Sequence, residues 1–163
     1  MKRQVFFSFE FMKDAWRAGQ IRNMGVVDDE STFSDNDWEE VKEKTDEKIK
    51  AWIDEQLKMR SCIIVLVGAT TFTRKWVKYE IKRAYELNKG ILGIYVHNLK
   101  DKQGEQCEKG ENPFEYIFTE NGKQLADYVK CYNPPCRSSK SVYEYIEENI
   151  EVWIENAIEN KAP

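Results

Sequence analysis

Residues 61–97 read SCIIVLVGATTFTRKWVKYEIKRAYELNKGILGIYVH, and the reading of this stretch decides the fold. Cys62-Ile63-Ile64-Val65-Leu66-Val67 is an unbroken apolar run rich in β-branched residues, which suits a strand covered on both faces in a parallel sheet. A polar loop from Gly68 to Lys75 follows. Then Val77, Ile81, Ala84 and Tyr85 recur at helical spacing, with charge on the opposite side. Asn88 and Gly90 stop that helix, and Ile91 to Val96 is a second apolar strand. Strand, helix and strand at this spacing make a right-handed βαβ unit. Ligands of such sheets bind beyond the carboxyl ends of the strands, where the Gly68–Lys75 loop and the first turns of the helix, including Glu80, must lie.

Outward from this unit the pattern continues. Val5 to Phe9 reads as a short apolar strand that ends on a lone serine, Ser8. Asp14 to Met24 reads as a helix stopped by Gly25, and Val26-Val27 as at most a short strand. Asp28 to Glu30 turns into a loop, and Ser34 with Asp37 supplies helix-capping chemistry. One long helix is expected after it, with Trp38, Val41, Thr45, Ile49, Trp52, Ile53 and Leu57 on a single stripe. Beyond His97, residues 98–112 are polar and read as a long exposed loop. The Asn121-Gly122 pair between residues 114–118 and 124–129 predicts a hairpin. Ser141 then caps a final helix over about 141–160. The expected fold is α/β, a three-layer flavodoxin-like sandwich with a mostly parallel sheet and an inserted β-hairpin before the last helix. We expect one domain over 1–163, with its core at about 3–97 and the loop and hairpin insertion at about 98–133.

Composition removes several function classes. The formal net charge is −4 with no Lys/Arg block, which argues against a nucleic-acid or anionic-membrane surface. No apolar run has the length of a membrane span and the first residues lack signal-peptide character, so a soluble cytoplasmic protein is expected. The four cysteines include no CxxC pair and the single histidine is His97, so no metal site is expected. Cys131 and Cys136 bracket Tyr-Asn-Pro-Pro, a spacing that leaves a disulfide or half a metal site open, while a cytosolic setting favours unpaired thiols. The chain also lacks GxxxxGK[ST], GxGxxG and GxSxG motifs, and Gly68-Ala69-Thr70 stands where a phosphoacceptor would need aspartate. An FMN-binding flavodoxin would need a phosphate loop that this chain does not offer. What remains is one acid, Glu80, a turn into the helix after the central strand and preceded by Trp76.

Val5-Phe6-Phe7-Ser8-Phe9 resembles the first motif of Toll/interleukin-1 receptor (TIR) domains, and Trp76-Val77-Lys78-Tyr79-Glu80 resembles the Trp-x-x-x-Glu motif of their NAD-consuming branch. With Phe72 to Lys75 and Asn112-Pro113-Phe114 added, the chain looks most like the TIR-like subunit of bacterial Thoeris anti-phage systems. The resemblance implies an NAD glycohydrolase or cyclase with NAD+ as substrate and no further cofactor. By position, Glu80 would be the catalytic carboxylate, Trp76 and Trp38 aromatic walls, and Ser8, Phe9 and Thr71 the rest of the substrate pocket. It further implies a cyclic ADP-ribose-type product that activates a separate effector, and it allows a homo-oligomer and a phage-derived trigger. Glu10-Phe11 departs from the family, where arginine often follows the first motif; Arg74, Lys75 or Arg22 would then meet the substrate's phosphates. The rival expectation is a non-enzymatic TIR adaptor with Glu80 inert.

Overall fold

The computed structural model describes residues 2–27 and 35–163. The expected Asp28–Glu30 loop and the Ser34 cap lie outside the described residues. The sheet has four parallel strands in the order β1 (Val5–Ser8), β2 (Cys62–Val67), β3 (Gly90–Tyr95) and β4 (Cys131–Tyr132). Register runs Val5 opposite Cys62 and Ser8 opposite Val65, then Cys62 opposite Gly90 and Val67 opposite Tyr95. Val27 makes one isolated parallel bridge to Arg3 in place of a second strand. The Ser61 amide donates to the Gln4 carbonyl at 2.9 Å, so β2 holds one edge of this chain and the Val27 bridge falls on the other. The path therefore leaves β1 in one direction and returns to its opposite side. That reversal is a topological switch point, and a crevice opens there at the carboxyl ends of β1 and β2.

Every residue of β1, β2 and β3 is buried, as a sheet covered on both faces requires. Alternate side chains feed two separate cores. Phe6, Ile63, Val65 and Val67 pack with α3 (Asp46–Lys58) and α4 (Lys75–Glu86). Phe7, Cys62, Ile64 and Leu66 pack with α1 (Phe11–Arg22) and α5 (Ser139–Glu159). The three-layer α/β sandwich expected from the sequence is present.

Besides the unexpected two-residue strand β4, four details differ from the expectation. First, α1 starts at Phe11, because the Glu10 carbonyl accepts the Asp14 amide at 2.9 Å and Asp14 itself is turned inward to Arg17. Second, the long helix is broken into α2 (Asp35–Val41) and α3. Thr45 stands between them with extended backbone, and its Oγ1 accepts the Lys48 amide at 3.4 Å as the cap of α3. Third, the hairpin shrinks to a tight turn closed by one antiparallel bridge, Phe118 to Gln124, with Gly122 at φ 80°. Its flanks are short 3-10 helices, Pro113–Tyr116 and Leu125–Asp127, because Phe114 and Leu125 drop into the core rather than alternating across a ladder. Fourth, α5 is capped by Ser138 rather than Ser141, its hydroxyl accepting the Ser141 amide at 3.1 Å.

The long polar segment after β3 is not a free arm. A Cβ on Gly110 would lie 2.2 Å from the Gly68 carbonyl oxygen, so this segment lies directly on the loop that follows β2. Cys62, Cys107, Cys131 and Cys136 are free thiols. Among the described residues, no helix is long and apolar enough to cross a membrane, and no group of three or more His, Cys, Asp or Glu side chains is placed to hold a metal ion.

Candidate functional site

The phase of α4 positions the central acid. Val77, Ile81 and Ala84 must enter the core, and all three are buried. Glu80 lies between Val77 and Ile81 on that stripe, so the helix turns its carboxyl inward toward the end of β1. Glu80 is only 5% exposed. Ser8, the last residue of β1 and also buried, donates its hydroxyl to Glu80 Oε1 at 2.5 Å. The two residues stand 72 apart in sequence and meet only because α4 packs over the switch point.

Burial dominates the electrostatics of this acid. Desolvation penalises the carboxylate and raises the Glu80 pKa to about 8, while the Ser8 hydrogen bond works in the other direction. A buried glutamate raised toward neutrality, with one specific donor and a cavity beside it, is a candidate functional carboxyl and not a solvated helix charge.

Glu80 opens into a cavity of about 490 Å³ whose walls include Phe9, Phe11, Trp38 and Trp76. Trp76 is braced edge-on by Tyr79 with ring centres 5.8 Å apart, and Trp38 leans on Trp52 at 6.2 Å. Both indoles also pack against the α3–α4 core, so each serves the fold and the cavity wall together. Cations ring the rim. Lys42, Arg74 and Lys75 all line the cavity, and Lys75 lies over the Trp76 ring at 4.6 Å. Lys75 also pairs with Asp46 at the start of α3, while Lys42 lies over the Phe11 ring at 5.4 Å. Glu10 supplies a second, buried acid in the same cavity. It accepts a hydrogen bond from Thr70 Oγ1 and sits 3.9 Å from Arg74 Nε.

Glu80, Phe9, Trp38 and Trp76 are thus brought to one cavity, and Ser8 stands behind Glu80 as its hydrogen-bond donor. Thr71 is not brought there. Its side chain is fully buried, with Oγ1 accepting the Gly68 amide at 2.8 Å, so it holds the loop after β2 in shape, and Thr73 lines the cavity in its stead. Of the expected cations, Arg74 and Lys75 reach the cavity. Arg22 lies over the Phe7 and Phe9 rings instead, at 5.7 and 5.5 Å. Glu10, Thr73 and Lys42 were not singled out as site residues by sequence reasoning. The departure at Glu10 from the family pattern was a signal, whereas nothing in the sequence separates Lys42 from the other charges of its helix face.

A buried, serine-held glutamate beneath an aromatic, cation-rimmed cavity stands at the switch point of a doubly wound parallel sheet, the place where α/β domains as a class bind small organic ligands. The family model described as "Thoeris protein ThsB, TIR-like domain" matches residues 6–101, which carry both Ser8 and Glu80. The chain belongs to this ThsB TIR-like family. It is also 36% identical over 136 residues to "Putative cyclic ADP-D-ribose synthase ThsB1" of Bacillus cereus (strain MSX-D12), covering 78% of this chain and 71% of that relative.

Proposed function

We propose that the chain cleaves NAD+ and converts it to a cyclic ADP-ribose-type signal in bacterial anti-phage defence, acting in the cytoplasm through a separate effector protein. The observation that carries the reading is the buried Glu80 carboxyl, held by Ser8 at 2.5 Å under the Trp76 and Trp38 walls. The relative's printed name, a cyclic ADP-D-ribose synthase, supports the same chemistry.

The bond broken joins the nicotinamide nitrogen to the ribose anomeric carbon. Its electron pair leaves with nicotinamide, which becomes neutral, and positive charge develops on the ribose as an oxocarbenium ion. Glu80 is placed to accept a hydrogen bond from a ribose hydroxyl and, once ionised, to stabilise that charge in a water-poor pocket. Ser8 fixes the carboxyl orientation. Trp76 and Trp38 cover the nicotinamide ribose, and the rim cations, Arg74 and Lys75 above all, face the pyrophosphate. Attack by water on the anomeric carbon releases a proton and gives ADP-ribose. Attack by a nucleophilic atom of the same molecule's adenosine half closes a ring instead. The broader proposal includes self-assembly of this chain and a phage-derived trigger for it.

The test is NAD+ turnover followed by chromatography with mass detection, for wild type and Glu80→Gln, at low and high protein concentration and with phage-infected lysate. Nicotinamide release that drops at least about 10²-fold in the variant is the expected result. The product mass separates hydrolysis from ring closure only through the water it gains, so both products are compared with the substrate. Intact NAD+ in every condition, from a protein of native circular dichroism, would replace the enzyme reading with the adaptor.

A further inference from the structure

A second and larger cavity, of about 710 Å³, lies against α1 on the other side of the switch point. Trp16, Gln20, Lys13 and Ala69 help to line it, with Gln103 and Cys107 of the segment after β3 on its far wall. Met12 lines both cavities, so the two spaces abut at the first turn of α1. The crest between them is a hydrogen-bonded row: Lys13 Nζ donates to Thr70 Oγ1 at 3.1 Å, and Thr70 Oγ1 donates to Glu10. Lys13 thus faces one cavity and Glu10 the other, with Thr70 joining them.

We propose that this cavity is the subsite for the adenosine half of the dinucleotide, with Trp16 as its stacking platform and Lys13 beside the pyrophosphate where it crosses the crest. The proposal rests on the NAD-cleaving reading of the Glu80 site. Three observations carry it. The two cavities adjoin at Met12 and the Lys13–Thr70–Glu10 row, which gives one elongated ligand a continuous path from the Glu80 cavity into the larger space. Trp16 is 55% exposed and lines the wall of a concave site, which is the setting in which an aromatic ring stacks a nucleobase. Finally, the floor is built rather than loose. Asp14 and Arg17 are 1% and 2% exposed and pair at 2.7 Å. Arg17 also donates to the Leu99 carbonyl at 2.8 Å and the Glu105 carbonyl at 2.9 Å. These bonds lock α1 to the far wall, so the cavity is preformed and its buried charges cancel.

The decisive measurement compares NAD+ with nicotinamide mononucleotide, which keeps the scissile bond and lacks adenosine, in wild type, Trp16→Ala, Trp16→Phe and Lys13→Met proteins. Trp16→Ala is expected to raise KM for NAD+ on the order of tenfold, the effect of losing one base–aromatic stack, and to leave the mononucleotide constants unchanged. Trp16→Phe should stay within about twofold of wild type, because a phenyl ring still stacks. Lys13→Met should raise KM for NAD+ and spare kcat. A Trp16→Ala enzyme that treats both substrates as wild type does, while Glu80→Gln remains dead, overturns the subsite and leaves the NAD-cleaving reading standing. Loss of activity on both substrates together with a change of mass in light scattering overturns it too, and makes this face a contact between copies of the chain. In a preparation without turnover, AMP titrated against the Glu80→Gln protein decides the cavity. Quenching of tryptophan fluorescence that disappears in Trp16→Phe supports an adenosine site, and its absence overturns one.

Discussion

Glu80 must be read with its proton. Its pKa of about 8 means that the resting carboxyl carries a proton at neutral pH, while the proposed chemistry calls for the carboxylate. The free-enzyme profile of kcat/KM should therefore rise with pH along a limb centred near 8. Removing the Ser8 hydroxyl takes away the bond that holds the carboxyl down, so Ser8→Ala should move that limb to higher pH and lower the rate at neutrality. A merely structural serine would lower activity equally at all pH values, which initial rates across the range would reveal. The same group also sets a stability trend. A carboxyl raised in the folded state from the ordinary 4.5 to about 8 holds its proton more tightly folded than unfolded. Its contribution is full below about 4.5, declines as pH rises by up to about 1.4 kcal/mol per unit, and is gone once pH passes about 8. Glu80→Gln cannot ionise, so its stability relative to wild type should climb by a few kcal/mol between those limits, as urea midpoints at pH 5 and pH 9 would show. The sequence made Glu80 visible because an acid one turn into the helix after a buried strand, four residues after Trp76, is a local pattern. It could not show the partnership with Ser8, which is a product of the fold, nor which threonine of Thr70, Thr71 and Thr73 would face the cavity. Three adjacent hydroxyls look alike until the short helix at Thr71–Thr73 turns one inward to Gly68 and another out to the site.

At the scale of elements, β2, α4 and β3 were legible because each has a single dominant pattern: two unbroken apolar runs and a strong 3.6-residue stripe between them. The break between α2 and α3 was not. Trp38, Val41, Thr45, Ile49 and Ile53 keep helical phase straight across it, so periodicity carries no mark of the interruption. Only the cap chemistry of Thr45, with Asp46 and Glu47 in the first turn that follows, betrays it. Strand β4 escaped for a different reason, since two residues are too few to show alternation. The docking of the segment after β3 was equally hidden, because its polar sequence reads as loop whether it is free or packed. Its anchor is Gly110, where even one methyl group would be driven into the Gly68 and Ala69 carbonyl oxygens at 2.2 and 2.7 Å. Those are backbone atoms and cannot swing aside. Gly110→Ala should accordingly cost about 1–3 kcal/mol of stability and loosen the wall that carries Gln103 and Cys107. Denaturant midpoints measure the first effect, and faster hydrogen exchange confined to residues 98–112 would report the second.

For the molecule as a whole, the sheet is a partition. Neighbouring residues of one strand serve different cores, as Phe6 and Phe7 do on β1 and Ile63 and Ile64 on β2. The helices on the two faces therefore feed separate clusters, which meet at the carboxyl end of β1, where Phe9 packs against both and Lys42 reaches the Phe11 ring. Ile53 of α3 and Ile146 of α5 sample the two sides, each fully buried and each in its own cluster. Truncating either to alanine should cost about 2–5 kcal/mol, from lost transfer energy and the cavity left behind. Because the two cavities share no wall, the double variant should lose the sum of the single losses to within about 0.5 kcal/mol. Yet each single variant should still unfold in one transition, since the strands belong to both cores and neither face can melt while the sheet between them stays intact. Urea titrations followed by tryptophan fluorescence and by far-ultraviolet circular dichroism would check both statements. Coincident curves with additive midpoint shifts are expected; separate curves would mean that the α1–α5 layer unfolds on its own. That result would bear on function, because the Glu80 cavity is walled by α4 and Trp38 on one side and by residues 9–12 at the start of α1 on the other, while Ser8 comes from β1. The Ser8–Glu80 bond is the place where a residue of the sheet and a residue of one helical layer must both be in position, so its integrity should follow the global transition and not precede it.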